Sequence, residues 1–481
     1  MSSSALPAAC RAPASSPATP GPLGLAVLLS GGFITIFDLF VVNVAIPSMQ
    51  ATLDASFAQI NFIIVAYELA YGVLLIAGSR LGDRHGRRRL FMLGMAGFAL
   101  ASALCGVAPS ANALIAARVL QGAAAAMLFP QVYALIRVSY DGHARRRAFG
   151  LLGMTLGLAA IAGQVLGGWI VHADLFGLAW RTIFLVNVPL GLIAWRLARH
   201  IPESRDAAGA SMDWPGSALV GLGLGLLLLA LVEGPARHWP VWTWAAGVAS
   251  IALLAWFTQL QRRAAAAGRT PLVDMALLTQ PRFAAGCLLV TLVFSTASAM
   301  FLCYALLLQT GLGVDALTAG TVFAPASVGF VAGSMAAPRL VARYGTRAIL
   351  VAAVLYGGAT AALMLQVGAA GGALAPWSLV PALVWLGAAQ GAVNTPLVNL
   401  ALGLVEDRHA GMAAGVVATL QQVGAALGVS AAGMLFSGAL DAYADAAVGD
   451  RYAHAFASAM QFNVAAIAAS VLLLAWLGRQ R

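Results

Sequence analysis

The chain is 481 residues long, 61% hydrophobic and only 9% charged, with a mean hydropathy of +0.87. That excludes a water-soluble globular protein, in which about 25% of residues are charged. A net charge of +10 does not mark a nucleic-acid surface either, because the 27 basic residues, all arginine, fall into short gaps between apolar stretches.

Residues 1–21 are rich in Ala, Ser and Pro and carry one arginine, which predicts a disordered cytoplasmic tail. The apolar run that follows is too long for the core of a cleavable signal peptide. Fourteen apolar stretches can be counted, at roughly 22–48, 58–78, 89–107, 112–137, 147–171, 182–198, 214–233, 241–260, 283–308, 318–336, 346–367, 376–403, 410–438 and 456–478. Each is read as a helix crossing the bilayer. Arginines orient them by the positive-inside rule. Arg80, Arg84, Arg87–Arg89, Arg145–Arg147, Arg196, Arg199, Arg205, Arg262, Arg263, Arg269, Arg339, Arg343, Arg347, Arg408, Arg479 and Arg481 fall on one side, the cytoplasmic one. The other side receives Arg181, Arg237 and Arg451, with Asp174, Asp315, Asp441, Asp445 and Asp450. Both termini are therefore expected in the cytoplasm, and the location is the cell membrane.

In the first stretch Asp38 sits in Phe37-Asp38-Leu39-Phe40-Val41-Val42-Asn43-Val44-Ala45-Ile46-Pro47. A carboxylate among such neighbours is penalised when ionised, so it is expected to bind and release protons; a helix-end aspartate facing water would not. The run resembles the first-helix motif of fourteen-helix drug:proton antiporters, Asp-x-Thr-Val-Val-Asn-Val-Ala-Leu-Pro, with Phe40 in place of Thr and Ile46 in place of Leu. Glu68 falls near the middle of the second stretch between Tyr67 and Tyr71, two rings able to bond or stack on a substrate. It is a second candidate for proton coupling, unless it only pairs with a buried arginine.

The segment Gly78–Leu90 between the second and third stretches reads as a very short charged loop. One carboxylate, Asp83, lies among five arginines, and Gly82 and Gly86 permit a tight turn and close approach. Basicity alone would be a topology signal. The pattern Arg-Leu-Gly-Asp-Arg-x-Gly-Arg-Arg, however, resembles the signature loop of the major facilitator superfamily, with Ser79 where glycine is usual. That resemblance assigns Asp83, Arg84, Gly86 and Arg87 to a conformational latch. The expected partner of Asp83 is the helix opening near Ala410, preceded by Arg408.

The fourth stretch holds Arg118 and, three residues on, Gln121. A guanidinium in a helix centre costs about 2.5–3.5 kcal/mol on insertion scales and needs a carboxylate, a carbonyl or water. Arg118 is thus a third proton-coupling candidate and a possible mate of Glu68, and Gln121 is placed in a substrate cavity. The fifth stretch carries Ala159, Gly163, Gln164, Gly167 and Gly168, similar to the antiporter motif Gly-x-x-x-Gly-Pro-x-x-Gly-Gly with Ala for the first Gly and Gln for the Pro. The run Trp180-Arg181 to Asn187-Val-Pro189-Leu-Gly191 also resembles the fourteen-helix family.

Arg339-Leu-Val-Ala-Arg343-Tyr-Gly345-Thr-Arg347 repeats the pattern of residues 80–88, with Ala342 where the first copy has Asp83. The chain is accordingly divided into the tail 1–21, a first six-helix bundle 22–200, linkers and two extra helices 201–281, and a second six-helix bundle 282–481. In the second half Gln309, Gln390, Asn394 and Gln421 are neutral groups in or beside apolar runs, suited to a substrate cavity, although ordinary interhelical hydrogen bonds explain them nearly as well.

Lysine is absent, so there is no Walker-type phosphate loop. The four cysteines, Cys10, Cys105, Cys287 and Cys303, have neither disulfide nor metal-ligand spacing. The expectation is an all-α integral membrane protein of fourteen helices with the major facilitator fold, monomeric, needing no cofactor or metal and catalysing no reaction. The resemblance implies proton-driven export of a hydrophobic or amphipathic small molecule such as a drug, antibiotic or natural product. Proton-linked uptake of a small solute, and a transport-inactive receptor or scaffold, are the alternatives.

Overall fold

A computed structural model describes residues 21–205, 213–269, 271–273, 275–405 and 410–479. Most of the expected tail, Cys10, Arg408 and Arg481 lie outside the described residues. The first half comprises α1 (Pro22–Leu53), α2 (Phe57–His85), α3 (Arg87–Gly106), α4 (Ala111–Ser139), α5 (Gly142–Ala173) and α6 (Arg181–His200). An inserted pair follows, α7 (Trp214–Ala236) and α8 (Val241–Ala266). The second half comprises α9 (Pro281–Ala305, extended by a π turn at Leu306–Gly311), α10 (Ala316–Tyr344), α11 (Thr346–Ala370), α12 (Val380–Leu402), α13 (Ala410–Ala442) and α14 (Val448–Arg479).

Thirteen of the described helices are long and apolar enough to cross a membrane. The remaining expected span is α12, whose 23 residues reach about 34 Å. Gln390, Asn394, Asn399 and two prolines lower its hydropathy, so its polarity rather than its length sets it apart. Local signals fix several helix starts. Ser56 and Gln59 form a reciprocal capping box on α2, and the side chains of Ser110 and Asp315 accept the first free N–H groups of α4 and α10.

The same packing plan occurs in both halves. α1 lies along α5 and α2 along α4, as α9 lies along α13 and α10 along α12. The halves meet along two seams, α2 against α13 and α5 against α10. On the second seam the glycines are required by proximity: a Cβ at Gly168 would collide with the backbone of Ala316, and one at Gly320 with that of Gln164.

The charged stretch after α2 is helical where a loop was expected. α2 continues to His85 and α3 starts at Arg87, leaving Gly86 alone as the hinge at φ +109° and ψ 124°. Glu203, from the segment after α6, makes this economy workable. Its carboxylate accepts the N–H groups of Arg88 (3.0 Å) and Arg89 (3.3 Å), while the Ser204 carbonyl accepts that of Arg87 (2.8 Å). The orphan donors of the α3 N-terminus are thereby satisfied, with a negative charge where the helix dipole favours one. The repeat recurs in the backbone, because Gly345 at φ +60° joins α10 to α11 as a single residue.

The core is continuous at one end and split at the other. A single apolar cluster runs through both halves at the end carrying Asp315, from Val41 and Ile63 to Phe323 and Phe436, and includes the stacked rings of Phe57 and Phe436 at 5.8 Å. At the Gly86 end two separate clusters occupy the two halves, one around Phe91, Phe98 and Val132, the other around Phe283, Ile349 and Leu397. The halves are thus sealed together at the Asp315 end. The inserted α7 touches both α2 and α13. Its connection to the second half is anchored by the buried Gln261, which donates to Asp213 (2.6 Å) and accepts from the Leu272 N–H (2.6 Å), and by Arg80, which donates to the Pro271 carbonyl (2.8 Å).

Substituting Gly86→Ala would force an L-residue to φ +109° with its Cβ 2.8 Å from the Glu203 carboxyl carbon. A loss of about 1–3 kcal/mol is expected. Gly345→Ala meets open space and should cost less. Thermal unfolding in detergent checks this; equal melting temperatures for the two variants would remove Glu203 from the account.

Candidate functional site

The buried charges of α1 and α4 form one network. Asp38 is fully buried on α1 and Arg118 on α4 is 1% exposed. Arg118 Nη1 donates to Asp38 Oδ2 at 2.5 Å and to Gln121 Oε1 at 2.7 Å. Gln121 Nε2 donates to Asp38 Oδ1 (2.8 Å) and to Ser102 Oγ of α3 (2.9 Å), and Asn187 Nδ2 of α6 reaches the same Asp38 oxygen at 3.1 Å. Arg118 also donates through Nε to the Ile63 carbonyl (3.1 Å) and lies 4.3 Å from the centre of the Tyr67 ring. The two charges are therefore matched by donors and acceptors on four helices, with Ser102 of a fifth holding Gln121 in place, as a buried ion pair requires if desolvation is not to outweigh attraction.

Several expectations are relocated. Arg118 pairs with Asp38 and not with Glu68: although α4 runs along α2, the Glu68 carboxyl is turned away to Ser298 of the second half. Gln121 and Tyr67 belong to the ion-pair network rather than to a cavity wall; the Tyr67 hydroxyl donates to the Thr35 carbonyl at 3.4 Å. Tyr71 is buried against Tyr67 and Phe129. Asn187 and Ser102 were not singled out from sequence. Asn187 was detectable as a lone amide in an apolar stretch, two residues before Pro189, which removes the hydrogen bond that the Leu185 carbonyl would accept in a regular helix.

Glu68, 1% exposed, faces the second half. Its Oε1 accepts from Ser298 Oγ of α9 at 2.7 Å, and its Oε2 has no partner. At the position in the second half that corresponds to the Asp38 network lies a neutral one. Thr296 of α9 shares a 2.7 Å hydrogen bond with the Tyr356 hydroxyl of α11, to which Gln390 of α12 donates at 3.2 Å. Asn463 of α14 donates to the Thr296 carbonyl at 3.0 Å. Four helices in equivalent places contribute, but none brings a charge. Asn394 keeps an unpaired Oδ1 one turn from Gln390, Gln421 is half-buried on α13, and Gln309 donates to the Val44 carbonyl across the halves at 2.9 Å.

In the signature segment Asp83 is paired with Arg87 at 2.7 Å, Arg84 is exposed, and Gly86 is the hinge described above. The expected α13 partner Arg408 is outside the described residues. α13 does run beside α2, where Thr419 Oγ1 donates to the Gly72 carbonyl at 3.0 Å. At the opposite end the Asp315 carboxyl is held below the usual carboxylate range by hydrogen bonds from the Thr318 side chain and backbone. Among the described residues no group of three or more His, Cys, Asp or Glu is placed to hold a metal ion, and Cys105, Cys287 and Cys303 are free and buried.

Comparison with known proteins agrees with this architecture. The chain is 37% identical over 428 residues, 89% of its length and 74% of the relative's, to a probable actinorhodin transporter of Streptomyces coelicolor. It is 33% identical to the puromycin resistance protein pur8 of Streptomyces alboniger, covering 94% of this chain and 90% of that one. Identity to the cephamycin export protein CmcT of Amycolatopsis lactamdurans is 33%, over 84% and 83%. Among solved structures, a POT family transporter in complex with 5-aminolevulinic acid superposes with a TM-score of 0.68 over 96% of this chain and 99% of that one; at 12% identity this likeness concerns the fold alone. The sequence profile of the Major Facilitator Superfamily matches residues 28–429, and the chain is a member of that superfamily.

Proposed function

We propose that this transporter exports hydrophobic or amphipathic small molecules, of the natural-product or antibiotic type, across the cytoplasmic membrane in exchange for protons. The observation that carries the reading is the Asp38–Arg118 pair. Among the described residues it is the one ion pair in which both partners are fully buried. The names of the relatives, an antibiotic transporter and two resistance or export proteins, support an exported product.

With the arginine-rich Gly86 end placed in the cytoplasm, the shared core lies on the outer side and the path is closed to the outside. Asp38 carries the proton. As a carboxylate it is held by Arg118, Gln121 and Asn187; once protonated it no longer balances Arg118, and the network must rearrange. Separating a buried ion pair costs about 3–5 kcal/mol. A membrane potential supplies about 2.3 kcal/mol per charge per 100 mV, so one proton moving inward offsets a large part of that cost. Glu68 reports the same event across the halves, because its bond to Ser298 joins α2 to α9. Gln390, Asn394 and Gln421 offer neutral contacts to substrate. Asp83, Arg84, Gly86 and Arg87 brace α2 against α3 while the two bundles move.

Orientation is tested with single cysteines at the exposed His238 and Asp445. An impermeant maleimide added to intact cells should label both; protection of either refutes the assigned topology. Coupling is tested in everted vesicles with puromycin or ethidium as the offered compound. Addition should dissipate an imposed pH gradient, and Asp38→Asn should lower that response at least about tenfold while compound still binds. Accumulation of compound by intact cells under an inward proton gradient would establish uptake instead. Glu68→Gln should impair ethidium more than a neutral compound, since a buried carboxylate attracts a cation directly and a neutral ligand loses one hydrogen bond. Equal losses would assign Glu68 to coupling.

A further inference from the structure

A narrow crevice of about 10 Å³ lies between the halves on the Asp315 side of Asp38, lined by Asn43, Gln164, Phe301, Tyr304, Gln309 and Gly320 among others. Two of its polar residues are already engaged: the Tyr304 hydroxyl donates to the Ala319 carbonyl (2.9 Å) and Gln309 to the Val44 carbonyl. Two others are not. Asn43 is 7% exposed, and its Nδ2 is used on the Leu39 carbonyl at 3.0 Å, which leaves Oδ1 facing no donor. Gln164 is 3% exposed, and its Nε2 faces no acceptor. One acceptor and one donor without a protein partner therefore belong to residues that line the same narrow space, contributed by α1 and α5, against the second half.

The surroundings are aromatic. Phe40 meets Phe301 edge-on at 5.0 Å, Phe301 meets Phe323 at 4.8 Å, and Tyr304 meets Phe323 at 5.1 Å. Phe40 also covers Gly163, the residue before Gln164; a Cβ on that glycine would sit 2.8 Å from the Cβ of Phe40. Phe40 and Gln164 are two of the four places where the chain departs from the motifs it resembles in α1 and α5, beside Ile46 and Ala159, and these two come together here. In the sealed arrangement the space admits one water at most. Parting α1 and α5 from α9 and α10 opens it to the path.

We propose that Asn43 and Gln164 form a donor–acceptor subsite for a neutral, planar aromatic ligand bearing a hydroxyl next to a carbonyl. Gln164 Nε2 donates to the carbonyl, Asn43 Oδ1 accepts from the hydroxyl, and the rings of Phe40 and Phe301 take up the ligand's plane. This rests on the transport reading for its meaning, but binding itself requires no gradient.

The probe is 3-hydroxyflavone, whose hydroxyl and carbonyl are adjacent and whose two emission bands report whether they bond to each other or to outside partners; flavone, lacking the hydroxyl, is the control. Binding to the purified full chain in lipid nanodiscs is followed by saturable energy transfer from tryptophan. Gln164→Leu and Asn43→Leu should each weaken 3-hydroxyflavone about three- to tenfold, the size of one or two neutral hydrogen bonds. Both should shift the bound dye toward its internally bonded emission. Flavone should be insensitive to Asn43→Leu, which shows that this variant is folded, and Gln164→Asn should keep part of the affinity that Gln164→Leu loses. No saturable binding to the wild type, unchanged affinity in both leucine variants, or an equal loss of flavone in Asn43→Leu would each overturn the subsite. Binding of this pattern without gradient-driven export would leave the subsite intact and overturn the transport reading alone.

Discussion

The burial of opposite charges at Asp38 and Arg118 is the constraint on which the first half depends. A carboxylate and a guanidinium away from water are tolerated only when every remaining lone pair and N–H finds a partner. α4 and α6 supply donors to the carboxylate, the Ile63 carbonyl of α2 accepts from the guanidinium, and Ser102 of α3 holds Gln121 between them. Five of six helices are thereby held in register around a point charge. The second half, built on the same plan, has Thr296, Tyr356, Gln390 and Asn463 at the equivalent level and needs no such balance. Duplicated packing with unduplicated charge gives one bundle that responds to a proton and one that does not, on the function proposed above.

The distribution of apolar contacts adds direction to that asymmetry. One core binds the bundles together at the Asp315 end, whereas each keeps its own core at the Gly86 end. Rigid cores on either side of a divide let the bundles move as bodies, and the shared core is the part that must be broken and remade. The glycines of α5 and α10 place backbone against backbone there, so few side chains have to repack when the contact opens.

Much of this was legible in the sequence, because a charge inside an apolar run has few physical excuses. Asp38, Glu68 and Arg118 stood out on that ground alone, and the repeated glycine and arginine pattern marked both turns, read as loops where the structure has single-residue hinges. The pairing was not legible. Arg118 is nearer in sequence to Glu68 than to Asp38, and α4 packs along the helix that carries Glu68; only the direction of the Glu68 side chain, toward Ser298 of the second half, decides between them. Neutral members of the network were hidden for a different reason. Ser102 has a side chain that would be equally at ease bonding its own helix, so its type carries no direction; Asn187 is visible as a lone amide before Pro189, but nothing local names its partner. Glu203 was hidden by distance, since a cap supplied from 115 residues away leaves no local signal. α12 shows the converse: its amides and prolines weaken the very hydropathy by which a span is recognised.

The position of the inserted pair makes the two seams between the bundles unlike. Of the two seams between the bundles, that of α2 and α13 is overlaid by α7, whose Gly221 packs on Val73 and whose base is moored through Asp213, Gln261 and the Arg80 contact to Pro271. The α5–α10 seam has no such cover from α7 or α8. The two flanks of the molecule therefore differ: one seam is screened by the inserted pair, and the other is closed only by the glycine-lined contact of α5 with α10.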